Sequence, residues 1–139
     1  MAKILYSTEA HTVTGRGGSV ATTDGRLDLD LSAPKELGGD SGPGTNPEQL
    51  FAAGYAACFN TALRATLREH GVTDCEPIVR ARVGIFRYPE GYRLDVSISA
   101  ELPGLDAWDA RKYLEEADRI CPFSDALRGS AVVSVDLVQ

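Results

Sequence analysis

An α+β architecture follows from three features of this 139-residue chain. Two regions alternate apolar and polar residues between turn signals, as short strands do. A long segment from Asn46 to Gly71 is apolar at helical spacing and carries a cap at each end. A shorter amphipathic segment covers residues 106–120. Strands in runs, set apart from helices, predict antiparallel sheets with a long central buried helix and a second shorter helix.

The elements are read in chain order. Residues 3–31 form short strands, ILYSTEAHTVT, SVATT and RLDLDLS, with Gly17-Gly18 and Asp24-Gly25 suited to tight hairpins. In RLDLDLS the leucines at 27, 29 and 31 alternate with Asp28 and Asp30, giving one apolar and one wet face. GGDSGPGTN at 38–46 is a glycine-rich connector. A dinucleotide-binding loop would need a strand before it and an acidic residue about 20 positions on in the right context. Asn46 is a favoured N-cap and Pro47 a favoured first helical residue, because its missing N–H has no partner there anyway. Glu48 suits the positive end of the helix dipole, and Gly71 supplies the stop. The first half of this helix, LFAAGYAACF, is apolar all round, which implies burial on most sides; a second copy of the chain would complete it. PIVRARVGIFRY at 77–88, the turn PEG and YRLDVSISAEL make a hairpin. DAWDARKYLEEADRI is a helix with Asp106 as cap; 121–130 is a short helical segment ending at Gly129; AVVSVDLV is a closing strand. No repeat, low-complexity tract or linker divides the chain, so residues 1–139 are expected to form a single domain.

The net charge is −6 and the sequence pI about 4.8, with no basic patch or stripe, which argues against nucleic acid as a partner. No stretch approaches the ~18–20 apolar residues of a membrane span. MAKILYSTEA lacks the apolar core of a signal peptide, and the expected compartment is cytoplasmic. Cys58, Cys75 and Cys121 form no CxxC pair, and neither His11 nor His70 lies at ligand spacing from a cysteine, so no metal site is expected.

Cys58 lies deep in the long helix among Phe51, Tyr55 and Phe59, beyond the reach of the helix N-terminus. Burial there raises a thiol's pKa and leaves it inert unless a cation is brought to it. Arg16 in the GRGG turn and Arg128 in ALRGS are the candidates. A guanidinium can fork onto a thiolate and a carboxylate at once, and Glu48 is a candidate for that carboxylate. Ten residues of continuous helix separate Glu48 from Cys58, ~15 Å of axial rise. Either the helix is interrupted, or Glu48 serves the Cys58 of a partner chain. On these grounds Cys58 and Cys121 are either core thiols or two halves of one reaction.

Four stretches together resemble the organic hydroperoxide resistance branch of the Ohr/OsmC family: GRGGSV at 15–20, LSAPKELGG at 31–39, TNPEQLFAAGYAACF at 45–59 and CPFSDALRGS at 121–130. They occur in family order and span the chain, and the NPEQLFAAGYAACF match is highly specific. The resemblance implies a thiol peroxidase on an OsmC-like intertwined homodimer. It implies Cys58 as peroxidatic cysteine, Cys121 as resolving cysteine, and Arg16 and Glu48 as the activating pair, with no cofactor. Organic and lipid hydroperoxides are the implied substrates, and a lipoylated protein or dihydrolipoamide the reductant. Phe51, Tyr55, Phe59 and Phe123 would line an apolar substrate site. Cys75 matches no catalytic position. One departure is Ser19, where many relatives carry a second basic residue; it bears on the charge of the entrance. The alternatives are an OsmC-branch peroxidase with a different substrate preference and a non-catalytic peroxide sensor or binding protein on the same fold.

Overall fold

Six strands and three α-helices follow one another in the computed structural model, which describes residues 2–129 and 132–139. Ser130 of the CPFSDALRGS stretch and Ala131 of the closing strand lie outside the described residues. The chain divides into two compact units, one running to Leu50 and the other from Phe51 onward.

In the first unit, β1 (Ala10–Thr12), β2 (Ser19–Thr22) and β3 (Asp28–Asp30) form an antiparallel sheet in that order. The first strand is shorter than its sequence pattern. Pairing with β2 runs only from Ala10↔Thr22 to Thr12↔Val20, and Thr22 already leads into the next turn. Residues 3–9 therefore have no strand opposite them in this unit, and Ile4, Leu5 and Tyr6 are exposed. The β1–β2 connection is also wider than a tight hairpin. A 3-10 turn, Gly15–Gly17, occupies it, closed by Thr12, whose Oγ1 accepts from the Gly15 N–H (3.2 Å) and donates to the Ser19 carbonyl (2.8 Å). The Asp24-Gly25 turn forms as expected, with Asp24 Oδ1 accepting from Arg26 N–H (3.0 Å) and Thr22 Oγ1 (2.7 Å). The glycine-rich connector folds back on residues 30–33. Thr45 N–H donates to the Asp30 carbonyl, Ser32 N–H to the Thr45 carbonyl and Gly44 N–H to Ser32 Oγ.

The second unit holds β4 (Ile78–Tyr88) and β5 (Gly91–Glu101), two eleven-residue strands of a hairpin in register from Ile78↔Glu101 to Tyr88↔Gly91. β6 (Val132–Leu137) pairs with β5 in parallel, so the second sheet is not antiparallel throughout. The reason is the connection. α2 (Ala107–Ile120) and α3 (Pro122–Leu127) intervene between β5 and β6, and a crossover of that length returns the chain in the direction it left. α2 starts where expected, with Asp106 Oδ1 accepting from the Asp109 N–H at 3.0 Å.

α1 (Pro47–Glu69) begins in the first unit and continues into the second without a break. Asn46 Oδ1 accepts from the Gln49 N–H (2.9 Å), which is the anticipated cap. At the other end Gly71 adopts φ +74°. Val72 N–H then reaches the Leu67 carbonyl and Gly71 N–H the Arg68 carbonyl, a Schellman ending that a residue with a Cβ would strain. One side of α1 is buried through Tyr55, Phe59, Ala62, Leu63, Thr66 and Leu67, while Ala53 and Ala57 are exposed in the single chain. The buried stripe packs with Val96, Ile98 and Ala100, every second residue of β5, and with Ala110, Leu114 and Ala117 of α2. Each large apolar side chain buried in this way contributes roughly 1.5–3 kcal/mol.

Candidate active site

Cys121 continues the stripe Ala110, Leu114, Ala117 by one more helical step and is completely buried. It is both the last cap of α2 and the first of α3. Pro122 explains this corner: the residue before a proline is driven out of the helical region, and Cys121 is extended (φ −69°, ψ 118°). Cys58 is the twelfth residue of α1, on the margin of its buried face, and is half-buried. The two thiols are free, and the Cys121 S–H points at Cys58 Sγ across 3.9 Å. Two cysteines 63 positions apart in the chain are thus neighbours.

Burial pushes the Cys58 thiol above the ordinary thiol range, and the adjacent Cys121 sulfur pushes it the same way, since two thiolates repel. The backbone N–H of Phe123 acts in the opposite direction and pulls it down. Nothing in the sequence pattern pointed to this donor. Its signal is the Cys-Pro start of α3, because the first N–H groups of a helix have no partner within it. Cys75 is also buried, and burial and the charges of Asp74 and Glu76 push its thiol up.

The four aromatic residues picked out from the sequence gather in the second unit. Tyr55 lies edge-on to Phe51 and to Phe59, each at 6.3 Å, and 6.0 Å from the Phe123 ring. They do not play one part. Tyr55 and Phe59 are fully buried and form the backing, whereas Phe51 and Phe123 keep exposed surface. Phe123 rests on α1 at Gly54, where a Cβ would meet its ring at 3.4 Å. The Tyr55 hydroxyl shares a 2.6 Å hydrogen bond with Ser124 Oγ, a partner the sequence pattern did not suggest.

Arg16 and Glu48 meet in the first unit. The guanidinium donates twice to the carboxylate, at 2.7 and 2.5 Å, a fork-to-fork geometry. The 3-10 turn presents Arg16, and the first turn of α1 presents Glu48. The Arg16 hydrogen bonds hold the Glu48 carboxyl below its usual range, and Glu48 raises the pKa of Arg16 in return. Arg128, the other candidate cation, is engaged elsewhere, donating to Asp125 Oδ1 (3.2 Å) and to the Asp118 carbonyl (3.1 Å).

The OsmC-like protein family model matches residues 38–136. The chain is 40% identical to the "Organic hydroperoxide resistance protein-like 2" of Staphylococcus epidermidis, covering 99% of this chain and 98% of that one. It is also 40% identical to the organic hydroperoxide resistance protein of Xanthomonas axonopodis pv. citri, over 97% and 96% of the two chains. The chain belongs to the organic hydroperoxide resistance family of OsmC-like proteins. The crystal structure of such a protein from Legionella pneumophila superposes with a TM-score of 0.93 at 42% identity, covering 99% of this chain and all of that one. The α+β fold is therefore that of the Ohr/OsmC family, and the family resemblance read from the four sequence stretches is correct. Among the described residues no helix is long and apolar enough to cross a membrane.

Proposed function

We propose that this protein is a thiol peroxidase that reduces organic hydroperoxides to alcohols. The observation that carries the reading is the pair of free thiols 3.9 Å apart, one half-buried and one fully buried. The Cys58 thiolate attacks the distal oxygen of the hydroperoxide. The O–O bond breaks, the alkoxide takes a proton from solvent and leaves as alcohol, and Cys58 becomes a sulfenic acid. The Cys121 thiol then displaces hydroxide from that sulfur, giving the Cys58–Cys121 disulfide and one water. The sulfurs must close from 3.9 Å to about 2.05 Å for that bond. An external dithiol, dihydrolipoamide or a lipoylated protein, restores both thiols by exchange and is itself oxidised to a disulfide.

Arg16 and Glu48 complete the scheme. Cys58 needs a cation to overcome its burial, and Arg16, clamped by Glu48, is the one assigned. Because α1 is unbroken, ten helical residues place Cys58 ~15 Å along the axis from Glu48, which supports the alternative in which the pair serves the cysteine of a partner chain. The proposed assembly is accordingly a homodimer.

The deciding experiment is consumption of an alkyl hydroperoxide by the purified protein with dihydrolipoamide, run beside thioredoxin and glutathione systems. Turnover should be sustained with the lipoyl dithiol. With each buried methylene contributing ~0.8 kcal/mol, the aromatic surroundings of Cys58 should make catalytic efficiency for an alkyl hydroperoxide far larger than for hydrogen peroxide. Equal efficiencies would count against an apolar site, and no turnover with any reductant would count against a peroxidase.

Cys121→Ser should permit the first oxidation but stop dithiol recycling through a disulfide. A sulfenic-acid trap should then label Cys58, or mass spectrometry should find it over-oxidised. Normal cycling of this variant would remove Cys121 from the resolving role.

A further inference from the structure

We infer that the Tyr55–Ser124 hydrogen bond is a positioning device that keeps Cys121 on Cys58 after oxidation, and so sets how the sulfenic acid partitions between disulfide and over-oxidation. The inference rests on the peroxidase reading above.

Tyr55 precedes Cys58 by three residues and Ser124 follows Cys121 by three. The hydroxyl pair, 2.6 Å apart, and the sulfur pair, 3.9 Å apart, are therefore two parallel ties between α1 and the start of α3. Both hydroxyl-bearing residues are deeply buried, Tyr55 at 0% and Ser124 at 5% exposure. α3 has six residues, too few to hold its orientation without tertiary ties. Packing does not fix Ser124 on every side. It borders a cleft of about 240 Å³ with Leu127, Val133 and Val135, which leaves room for it to withdraw. The other ties on this segment are the Phe123 ring against Gly54 and Tyr55, Leu127 against the core, and Arg128 on the Asp118 carbonyl, and none of them holds the Ser124 side chain itself. Burial also pushes the Tyr55 phenol up, so it stays a neutral hydrogen-bonding hydroxyl over the working range.

The sulfenic acid has two competing fates. Attack by the Cys121 thiol yields the disulfide and water. Attack on a second hydroperoxide yields a sulfinic acid and a second alcohol, and that product is not restored by thiols. The first route is intramolecular, and its rate depends on how much of the time Cys121 is in reach. Freeing the start of α3 lowers that fraction and leaves the second route unaided.

The test mixes reduced protein rapidly with an alkyl hydroperoxide. Disulfide formation is followed by the Cys58–Cys121 cross-linked peptide after rapid quenching, and the sulfinic fraction at Cys58 is read by mass spectrometry at a fixed peroxide excess. Ser124→Ala and Tyr55→Phe should each slow disulfide formation by about five- to tenfold, the scale of one buried hydrogen bond, and raise the sulfinic fraction accordingly. The double variant should be no slower than the worse single one, since both break the same bond. Ser124→Thr keeps the hydroxyl and should retain the rapid step. The partition ratio is read on folded protein, so a general loss of stability does not mimic it. If Ser124→Ala does not fold, Tyr55→Phe reads the same bond from the other side. Wild-type partitioning in either single variant, or equal slowing in Ser124→Thr, overturns the inference. A wild-type protein that consumes no hydroperoxide overturns the peroxidase reading, and the inference falls with it.

Discussion

Replacing Cys58 by serine should reduce hydroperoxide consumption to the uncatalysed background. A serine hydroxyl is almost wholly protonated at neutral pH and a far weaker nucleophile than a thiolate, so the nucleophile is lost rather than weakened. The substitution changes one atom of a half-buried side chain, and the fold should survive it. Thermal unfolding of the variant serves as the control for that. Cys75→Ala should leave turnover as it is, because that thiol is buried between two acidic neighbours and matches no catalytic position of the family pattern. Sustained turnover by Cys58→Ser would take Cys58 out of the mechanism and leave the 3.9 Å thiol pair as mere packing.

The second large effect is expected at Arg16. Burial and the Cys121 sulfur hold the Cys58 thiol up, so without a cation the nucleophilic form is scarce at neutral pH. The sign of the pH dependence follows. Oxidation speeds up as pH rises through the Cys58 pKa, and Arg16→Ala should displace that rise to more alkaline pH. Below both pKa values, each unit of displacement costs about tenfold in thiolate and therefore in rate, so the deficit should be large at neutral pH and shrink in alkali. Arg16→Lys should recover only part of the rate, since an ammonium does not fork between thiolate and carboxylate. Glu48→Ala should do less harm, because Arg16 keeps its charge and loses its clamp. Mixed dimers decide where Glu48 acts. With Glu48→Ala in one chain and Cys58→Ser in the other, the surviving Cys58 still has an intact partner Glu48. Activity in that dimer places the clamp across the interface; impairment equal to that of the Glu48→Ala homodimer places it within one chain. A thiolate titration unchanged by Arg16→Ala would falsify the activation scheme.

Local features were legible in the sequence and distant ones were not. Asn46, Asp106 and Gly71 each act on backbone groups a few residues away, and each capped or ended its helix where its chemistry said it would. The hairpin from Ile78 to Glu101 was equally readable, because Pro89-Glu90-Gly91 and the alternation around it are local. Pairing partners are not local. The segment at 3–9, with Ile4, Leu5 and Tyr6, looks like a strand, yet no strand of its own unit lies opposite it, and the direction of β6 depends on the crossover before it. The same division holds at the site. Residue types singled out Cys58, Cys121, Arg16 and Glu48, and the structure brings the cysteines together and the ion pair together. The Phe123 N–H escaped notice because its signal, the Cys-Pro start of α3, names no partner, and the Tyr55–Ser124 bond because a buried serine looks like any other.

The corner at Cys121 has a consequence for how the chemistry and the core are coupled. In an unfolded chain the two sulfurs are ends of a 63-residue loop, and they meet at the low effective concentration that such a loop allows. In the folded chain the stripe Ala110, Leu114, Ala117 carries Cys121 to its place, and the stripe Tyr55, Phe59 and Leu63 carries Cys58. Loop closure is complete before any peroxide arrives, and the bond-forming step inherits it as proximity. In the proposed mechanism the core residues of α1 and α2 are in this sense part of the redox apparatus. A cavity made at Leu114 or Leu63 would loosen the fold and dilute one sulfur with respect to the other in the same stroke.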